Sequence, residues 1–457
     1  MFFEHRNPDG TLLWLMTLIF LPVLGIALYL FLGPDMRRLK NHRLFKPTRA
    51  VPSVDRPALE GGVPNAVARA ATLAFRASGA EVRRGEVKPL FDGAEAFPAI
   101  LDALKKADRY IHLEYFIFRD DRLGREIAGV LSAKARDGLT VKAMFDGVGS
   151  WNIGRLIHNM REAGVDARVF MPVSLPFFRS VNYRNHRKII VVDGETAFTG
   201  GLNVGTEYMG EGRLGHWRDT HLMLRGSPVQ ALDEVFRRDW AAGSKGKGKG
   251  SFGPCEQANS YEQKGGAQRT PNSPNSAVQI VPGEAGAAWH AIEKMYFLMI
   301  AEARKRIWIT TPYLVPCAAI LEALKSSALS GVDVRILMPA KADHFLSYWA
   351  GRANIEDLLR SGVRVWRYNR GGFVHAKTLV MDSSVASVGT ANLDNRSLAI
   401  NFEVQAFIYD QAVCQTLADK FLSDLSASEE VDLSVWERRK VGVRVLESLG
   451  SLWSAQI

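Results

Sequence analysis

NHRKIIVVDGETAFTGGLN, residues 185–203, and VHAKTLVMDSSVASVGTAN, residues 374–392, are two ungapped copies of one pattern, H-x-K-x4-D-x6-G-x-x-N. The first copy places His186, Lys188, Asp193, Gly200 and Asn203; the second places His375, Lys377, Asp382, Gly389 and Asn392. Runs such as RKIIVVD and KTLVMD are short and rich in β-branched or apolar residues, hence strands, along which side chains alternate faces. His and Lys of each copy therefore project from one face. Parity sends Asp193 and Asp382 to the other, where they are expected to be structural, ending the strand or pairing with a basic group. The glycine-rich returns that follow are expected to bring backbone and amide donors beside the His/Lys face.

Working outward, the flanking sequence repeats too. ALKKADRYIHLEYFIF leads to KARDGLTVKAMFDG in the first half, and MIAEARKRIWITTPYLV leads to ALSGVDVRILMPA in the second. Each pairs a helical segment with a β-rich run, then a helix ending at Gly138 or Gly331 before another strand. Further helices end near Gly164 and Gly362. Alternating strands and helices predict an α/β sandwich. The motif histidines lie 189 positions apart, a domain-sized offset, so the chain is a duplicated domain and not a solenoid. If the two copies meet about a pseudo-two-fold axis, one cleft holds two His, two Lys and two Asn. That set suits a phosphate diester. Ammonium and amide groups neutralise the non-bridging oxygens, one neutral imidazole attacks phosphorus and the other, protonated, supplies the leaving oxygen with its proton. No carboxylate pair or Cys/His set accompanies them, so neither a metal nor a cofactor is expected.

The remaining chain sets the context. Its 457 residues carry 58 Lys+Arg against 48 Asp+Glu, a net +10 that favours an anionic partner, and its three cysteines exclude a disulfide scaffold. LLWLMTLIFLPVLGIALYLFL, residues 12–32, has no charge over 21 residues and predicts one transmembrane helix. Arg37, Arg38, Lys40, Arg43, Lys46 and Arg49 follow it, while Arg6 before it is offset by Glu4 and Asp9. The positive-inside rule then puts the N-terminus outside and the repeats in the cytoplasm. The expected organisation is an anchor with its basic flank at 1–50, a connecting segment at 51–84, the first repeat at 85–243, a Gly/Ser/Asn/Gln/Pro-rich flexible linker at 244–276, the second repeat at 277–430 and a tail at 431–457. The tail reads either as a basic amphipathic helix at the membrane interface, with Trp436 and Trp453 as anchors, or as a helix packed on the domain.

On these residues the chain resembles the phospholipase D superfamily and, within it, the bacterial cardiolipin synthases, through HLEYFIFRDD, NHRK, GGLNVG, HWRDTH, FVHAKTLVMD and GTANLDNRSLAINFE. The resemblance implies two phospholipase D-like α/β/α sandwich repeats related by a pseudo-two-fold and preceded by one membrane helix. It implies a metal-independent phosphatidyl transfer in which two phosphatidylglycerols give cardiolipin and glycerol through a phosphatidyl-histidine. Anionic membrane lipids are then the partners, no nucleic acid is expected, and the bacterial inner membrane is the location. It also implies a His-orienting acid after each motif, at Asp219 and Glu403, and a phosphate pocket supported by Gly200, Gly201, Gly389 and Thr390, with Thr390 offering a hydroxyl where the first copy has Gly201. By analogy His186 is the nucleophile and His375 the acid. Hydrolysis by water in place of transfer, and a nuclease of the same superfamily, stay open as alternatives.

Overall fold

The computed structural model describes residues 8–32, 65–172, 182–243, 275–287, 289–369, 371–452 and 454. The basic stretch 37–49, most of the expected linker (244–274, with Cys255) and Trp453 lie outside the described residues.

Fifteen strands form one sheet whose order is nearly a palindrome. From its centre the first repeat runs Val82–Phe91, Thr220–Gly226, Thr196–Gly200, Lys188–Val192, Tyr110–Tyr115, Thr140–Asp146 and Asp166–Phe170. The second runs Ser276–Gly283, Glu403–Tyr409, Val385–Gly389, Thr378–Met381, Arg306–Thr310, Asp333–Pro339 and Arg364–Tyr368, with Ser428–Glu430 added at its edge. Seven strands correspond one to one about an antiparallel seam in which Val82 faces Gln279 and Gly85 faces Ser276. An antiparallel pair has a two-fold axis between its strands, so this seam generates the pseudo-symmetry.

In each repeat the last three of the seven corresponding strands run parallel and need crossover helices. Arg122–Arg136 is one: Asp121 caps it by accepting from the Gly124 amide, and Leu123, Ile127, Ala128 and Leu131 form its buried stripe. It and its counterpart Ala318–Leu329 are followed by Gly138 and Gly331, at φ 91° and 89°, a left-handed backbone that glycine adopts without strain. Helices Ser227–Gly243 and Gln411–Leu425 contribute Leu232, Phe236, Leu417 and Phe421 to a central core that draws on both repeats. The other helices cover the outer faces.

The connecting segment carries more structure than its sequence suggested. Helix Asn65–Ser78 packs Val67, Ala70 and Ala74 into the second repeat's outer core, and Gln279 donates to the carbonyls of Ala71 and Ala80. The chain then enters the seam strand at Val82, so this segment ties the repeats together before the first one begins.

At its two ends the described chain differs in detail from what the sequence suggested. The apolar run does not form one helix. Pro8–Phe20 and Pro22–Leu32 break at Leu21 and fold on each other, with the Trp14 and Tyr29 rings edge to face at 5.3 Å. Pro22 lacks an amide hydrogen and disfavours helix in the residue before it. A Cβ on Gly25 would come within 2.7 Å of the Thr17 carbonyl oxygen, so glycine is what lets the two helices meet. Among the described residues no helix is long and apolar enough to cross a membrane. In the tail, Trp436 is buried between the guanidinium groups of Arg352 and Arg439, at 4.3 and 4.7 Å from its ring, and is no interfacial anchor. Helix Val441–Leu452 packs on helix Phe345–Ala353, and its buried Glu447 receives Nε of both arginines at 3.0 Å.

Candidate active site

The strands that carry the motifs deliver each histidine to the other repeat. Gly372–Val374 pairs in parallel with His216–Arg218, with Val374 opposite Arg218, and the His375 amide donates to the Arg218 carbonyl at 2.7 Å. Asn185 bridges Phe402 in the same sense. The His186 amide donates to the Phe402 carbonyl, and the Phe402 amide to the Arg184 carbonyl, both at 2.9 Å. One step along, this register sets His375 beside Asp219 and His186 beside Glu403. The Nδ1 of His375 lies 2.7 Å from an Asp219 oxygen, and that of His186 lies 3.0 Å from a Glu403 oxygen. Each of the two acids thus lies against the histidine of the opposite repeat.

The lysines stay with their own histidines. Lys188 Nζ donates to the His186 carbonyl at 2.7 Å, and Lys377 Nζ donates to the His375 carbonyl while lying 3.0 Å from its Nε2. Phe116 stands edge to face with His186 at 4.8 Å, while Trp217 and Tyr208 pack on His375 at 5.5 and 5.9 Å. Burial pushes both imidazoles down to about 4, each adjacent lysine adding to the push and each partner carboxylate opposing it. Burial likewise draws Lys188 down to about 7 and Lys377 to about 8. Burial alone would raise Asp219 and Glu403. The lysine and imidazole around each carboxyl outweigh it and hold both below the ordinary carboxylate range.

The glycine-rich returns differ between repeats. A Cβ on Gly201 would sit 1.9 Å from Asp219 Oδ1, so the carboxylate occupies the space a side chain would need. At the matching place Thr390 Oγ1 donates to Glu403, a contact the first repeat lacks. Gly200 and Gly389 lie against His221 and Gln405, where a Cβ would come within 2.7 and 2.4 Å. The Asn203 amide donates to the Tyr208 hydroxyl at 2.6 Å and its oxygen receives the Ile117 amide, so it holds the aromatic wall beside His375. Asn392 is buried, and its Oδ1 has no partner among the described residues. Asp193 and Asp382 sit at φ 57° and 52° just past their strands. Each accepts three consecutive amides, of Asp108, Arg109 and Tyr110 or of Arg304, Lys305 and Arg306, pinning the entry to a neighbouring strand.

Several neighbours of the site were not singled out by sequence. Buried Arg187, between the motif His and Lys, pairs with Asp239 and donates to the carbonyls of Glu403 and Gly283 at 2.9 Å. Arg218, beside Asp219, pairs with Asp424 at 2.7 Å. Both aspartates end F-x-x-D segments (Phe236–Asp239, Phe421–Asp424), so this arginine pairing also recurs in the two repeats. Asp239→Ala would strand the Arg187 guanidinium in the core, an expected loss of about 3–5 kcal/mol readable by urea unfolding. On the His375 side lie Tyr313, hydrogen-bonded to Asp343, and Asp394, whose carboxyl burial raises to about 7. Among the described residues no cluster of three or more His, Cys, Asp or Glu side chains is placed to hold a metal ion.

The duplicated α/β fold recurs in solved structures of low sequence identity. A phosphatidylserine synthase of Haemophilus influenzae superposes with a TM-score of 0.61 at 15% identity, over 85% of this chain and all of that one. A polyphosphate kinase of Porphyromonas gingivalis gives 0.52 at 13% identity, over 76% of this chain and 49% of that one. Residues 100–240 and 296–425 match the family described as cardiolipin synthase, PLD-like domain, and residues 1–34 match the phospholipase D-nuclease N-terminal family. The chain is 39% identical to cardiolipin synthase 2 of Bacillus anthracis over 465 residues, covering 99% of this chain and 88% of that protein. It is also 39% identical to a cardiolipin synthase of Halalkalibacterium halodurans, covering 99% and 90%. The chain belongs to the cardiolipin synthase family of phospholipase D-like proteins.

Proposed function

We propose that the chain is a membrane-anchored phosphatidyltransferase that converts two phosphatidylglycerols into cardiolipin and glycerol, without metal or cofactor. The observation that carries this reading is the crossed pairing of His375 with Asp219 and His186 with Glu403 at 2.7 and 3.0 Å. Each carboxylate favours the tautomer protonated at Nδ1, which makes Nε2 the reacting nitrogen; on His375 that atom lies 3.0 Å from Lys377 Nζ. His186, neutral through burial, attacks the donor phosphorus, and the bond to the glycerol oxygen breaks as His375 delivers a proton to it. The resulting phosphatidyl-histidine is then attacked by a hydroxyl of the second phosphatidylglycerol, whose proton returns to His375. An anionic phosphodiester beside two buried imidazoles opposes the effect of burial, so the acid carries its proton in the complex. The shorter contact to Asp219 suits His375 for that charged state. Lys188 and Lys377 hold the non-bridging oxygens, strongest as charge builds in the transition state.

Incubation with phosphatidylglycerol alone is expected to yield cardiolipin and glycerol in equal amounts, with or without a chelator. Phosphatidic acid as the main product would replace transfer with hydrolysis. A second expectation concerns pH. The site needs both lysines cationic, and burial has moved them to about 7 and about 8. Because they are charged below those values, kcat/KM should fall as pH rises through that window. An alkaline limb at the ordinary lysine position would contradict the role.

The anchor and cytoplasmic placement of the repeats rest on the uncharged run 12–32, the basic residues after it and the match of residues 1–34. Exposed Ile19, Phe20, Val23 and Leu24 give the folded helix pair an apolar surface to seat in lipid. A cysteine added near the N-terminus, tested with an impermeant thiol reagent on intact cells, separates a spanning anchor from one that enters and returns.

A further inference from the structure

The two repeats each extend an exposed apolar residue from the loop that latches the site wall, and these loops occupy pseudo-symmetric places. In the first repeat the loop follows strand Thr140–Asp146. Its Ser150 Oγ donates to the Phe116 carbonyl at 2.8 Å and accepts from the Phe118 amide at 2.9 Å, which fixes the segment whose Phe116 ring abuts His186. The next residue, Trp151, is 76% exposed. In the second repeat the loop follows strand Asp333–Pro339. Its Asp343 takes the hydrogen bond of Tyr313, which lies in the corresponding segment, and the His344 and Tyr313 rings are 6.2 Å apart. Two residues past Asp343, Phe345 is 64% exposed and Leu346 beside it 46%.

The surface continues past Phe345. Helix Val441–Leu452 packs on helix Phe345–Ala353 while turning Val445, Leu449 and Leu452 to solvent. Its end returns to the site: Asn395 Nδ2, beside the Asp394 that caps the next helix, donates to the Ser454 carbonyl at 2.9 Å. Large aromatic side chains left in water beside the loops that latch the site wall are costly, and Arg155, Lys341 and Arg444, on or next to the same segments, are exposed as well. Apolar residues among cations match a surface that is anionic outside and hydrocarbon beneath.

Resting on the transferase reading for its substrate, we propose that Trp151, Phe345 and the outer ridge of the C-terminal helix form an interfacial rim that inserts into an anionic phospholipid leaflet around the mouth of the site. The rim seats the cleft on the surface from which both lipids are drawn. The N-terminal anchor tethers the chain, and the rim sets the orientation of the catalytic body.

The test uses the full chain carrying Trp151→Cys or Phe345→Cys labelled with an environment-sensitive fluorophore, with Leu329→Cys as an equally exposed apolar control away from the rim. On vesicles of phosphatidylcholine and phosphatidylglycerol, the two rim probes should shift to the blue and be quenched by lipids brominated in the acyl chain, and the control should not. Rim probes that stay in a water-like environment, or a control that responds equally, would overturn the proposal. So would probes buried before vesicles are added in a chain sedimenting as a dimer, which would assign the face to a second copy. This readout is independent of turnover, so it stands apart from any failure of the transferase reading. In turnover, the Trp151→Ser/Phe345→Ser double variant should lose at least about tenfold on vesicles. It should match the unsubstituted chain on monodisperse short-chain phosphatidylglycerol, and equal loss on both substrates would count against the rim.

Discussion

Replacing His186 with Ala is expected to lower transfer by at least about 10⁴-fold, and replacing His375 with Ala by about 10²–10⁴-fold, with different behaviour toward an activated substrate. The roles differ in what each residue must do. On the proposed assignment no bond to phosphorus forms without His186, whatever leaves. Without His375 attack is still available when the leaving group needs no proton. A phosphatidyl ester of nitrophenol should therefore give a burst of nitrophenolate and a trapped phosphatidyl-enzyme with His375→Ala, and neither with His186→Ala. The reverse pattern would exchange the two roles, and full activity in both variants would remove the site from the chemistry. Folding must be checked alongside, since both imidazoles are buried against carboxylates from the other repeat.

The second large effect comes from a single methyl group. In Gly201→Ala the new Cβ would meet Asp219 Oδ1 at 1.9 Å, and the carboxylate it displaces holds Nδ1 of His375. Displacing that imidazole by even an ångström is expected to cost roughly a hundredfold in kcat. Thr390→Ala at the equivalent position removes the hydroxyl that donates to Glu403 and accepts from the Val404 amide without displacing the carboxylate, and a loss of about tenfold is expected. Steady-state kinetics of the two variants, with circular dichroism to confirm folding, checks the contrast. Equal effects would mean that Gly201 gives the Asp219 carboxylate no essential room.

The repeat, the strands and the four His and Lys positions were legible because they follow from short-range periodicity and exact spacing. So were the helix ends at Gly138 and Gly331, since a left-handed turn there calls for glycine whatever the tertiary context. The crossing of the acids was not legible. It depends on which strands meet through Val374 opposite Arg218 and Asn185 opposite Phe402, pairings across more than 150 residues that no local pattern encodes. Asn203 illustrates the same limit: its place in the motif was visible, but Tyr208, which takes its amide, lies in a three-ten turn with no sequence signature. Trp436 read as an interfacial residue because its partners, buried Arg352 and half-buried Arg439, carry charge. The break at Leu21 was missed for another reason, since Pro22 and Gly25 are compatible with a continuous membrane helix as well as with a bend.

Crossed pairing makes the active centre a shared property of two halves, neither of which owns a complete histidine–acid couple. A chain opened between the seam-forming regions should behave as an obligate pair of complementing fragments. Each alone would present a histidine without its carboxylate and an unpaired edge at Val82–Phe91 or Ser276–Gly283, and would be inert; mixed, they would restore activity by reforming the seam. Substitutions in one half would correspondingly be felt as lesions in the other. Swapping Asp219 and Glu403 between repeats would test whether the two half-sites have become specialised or remain interchangeable.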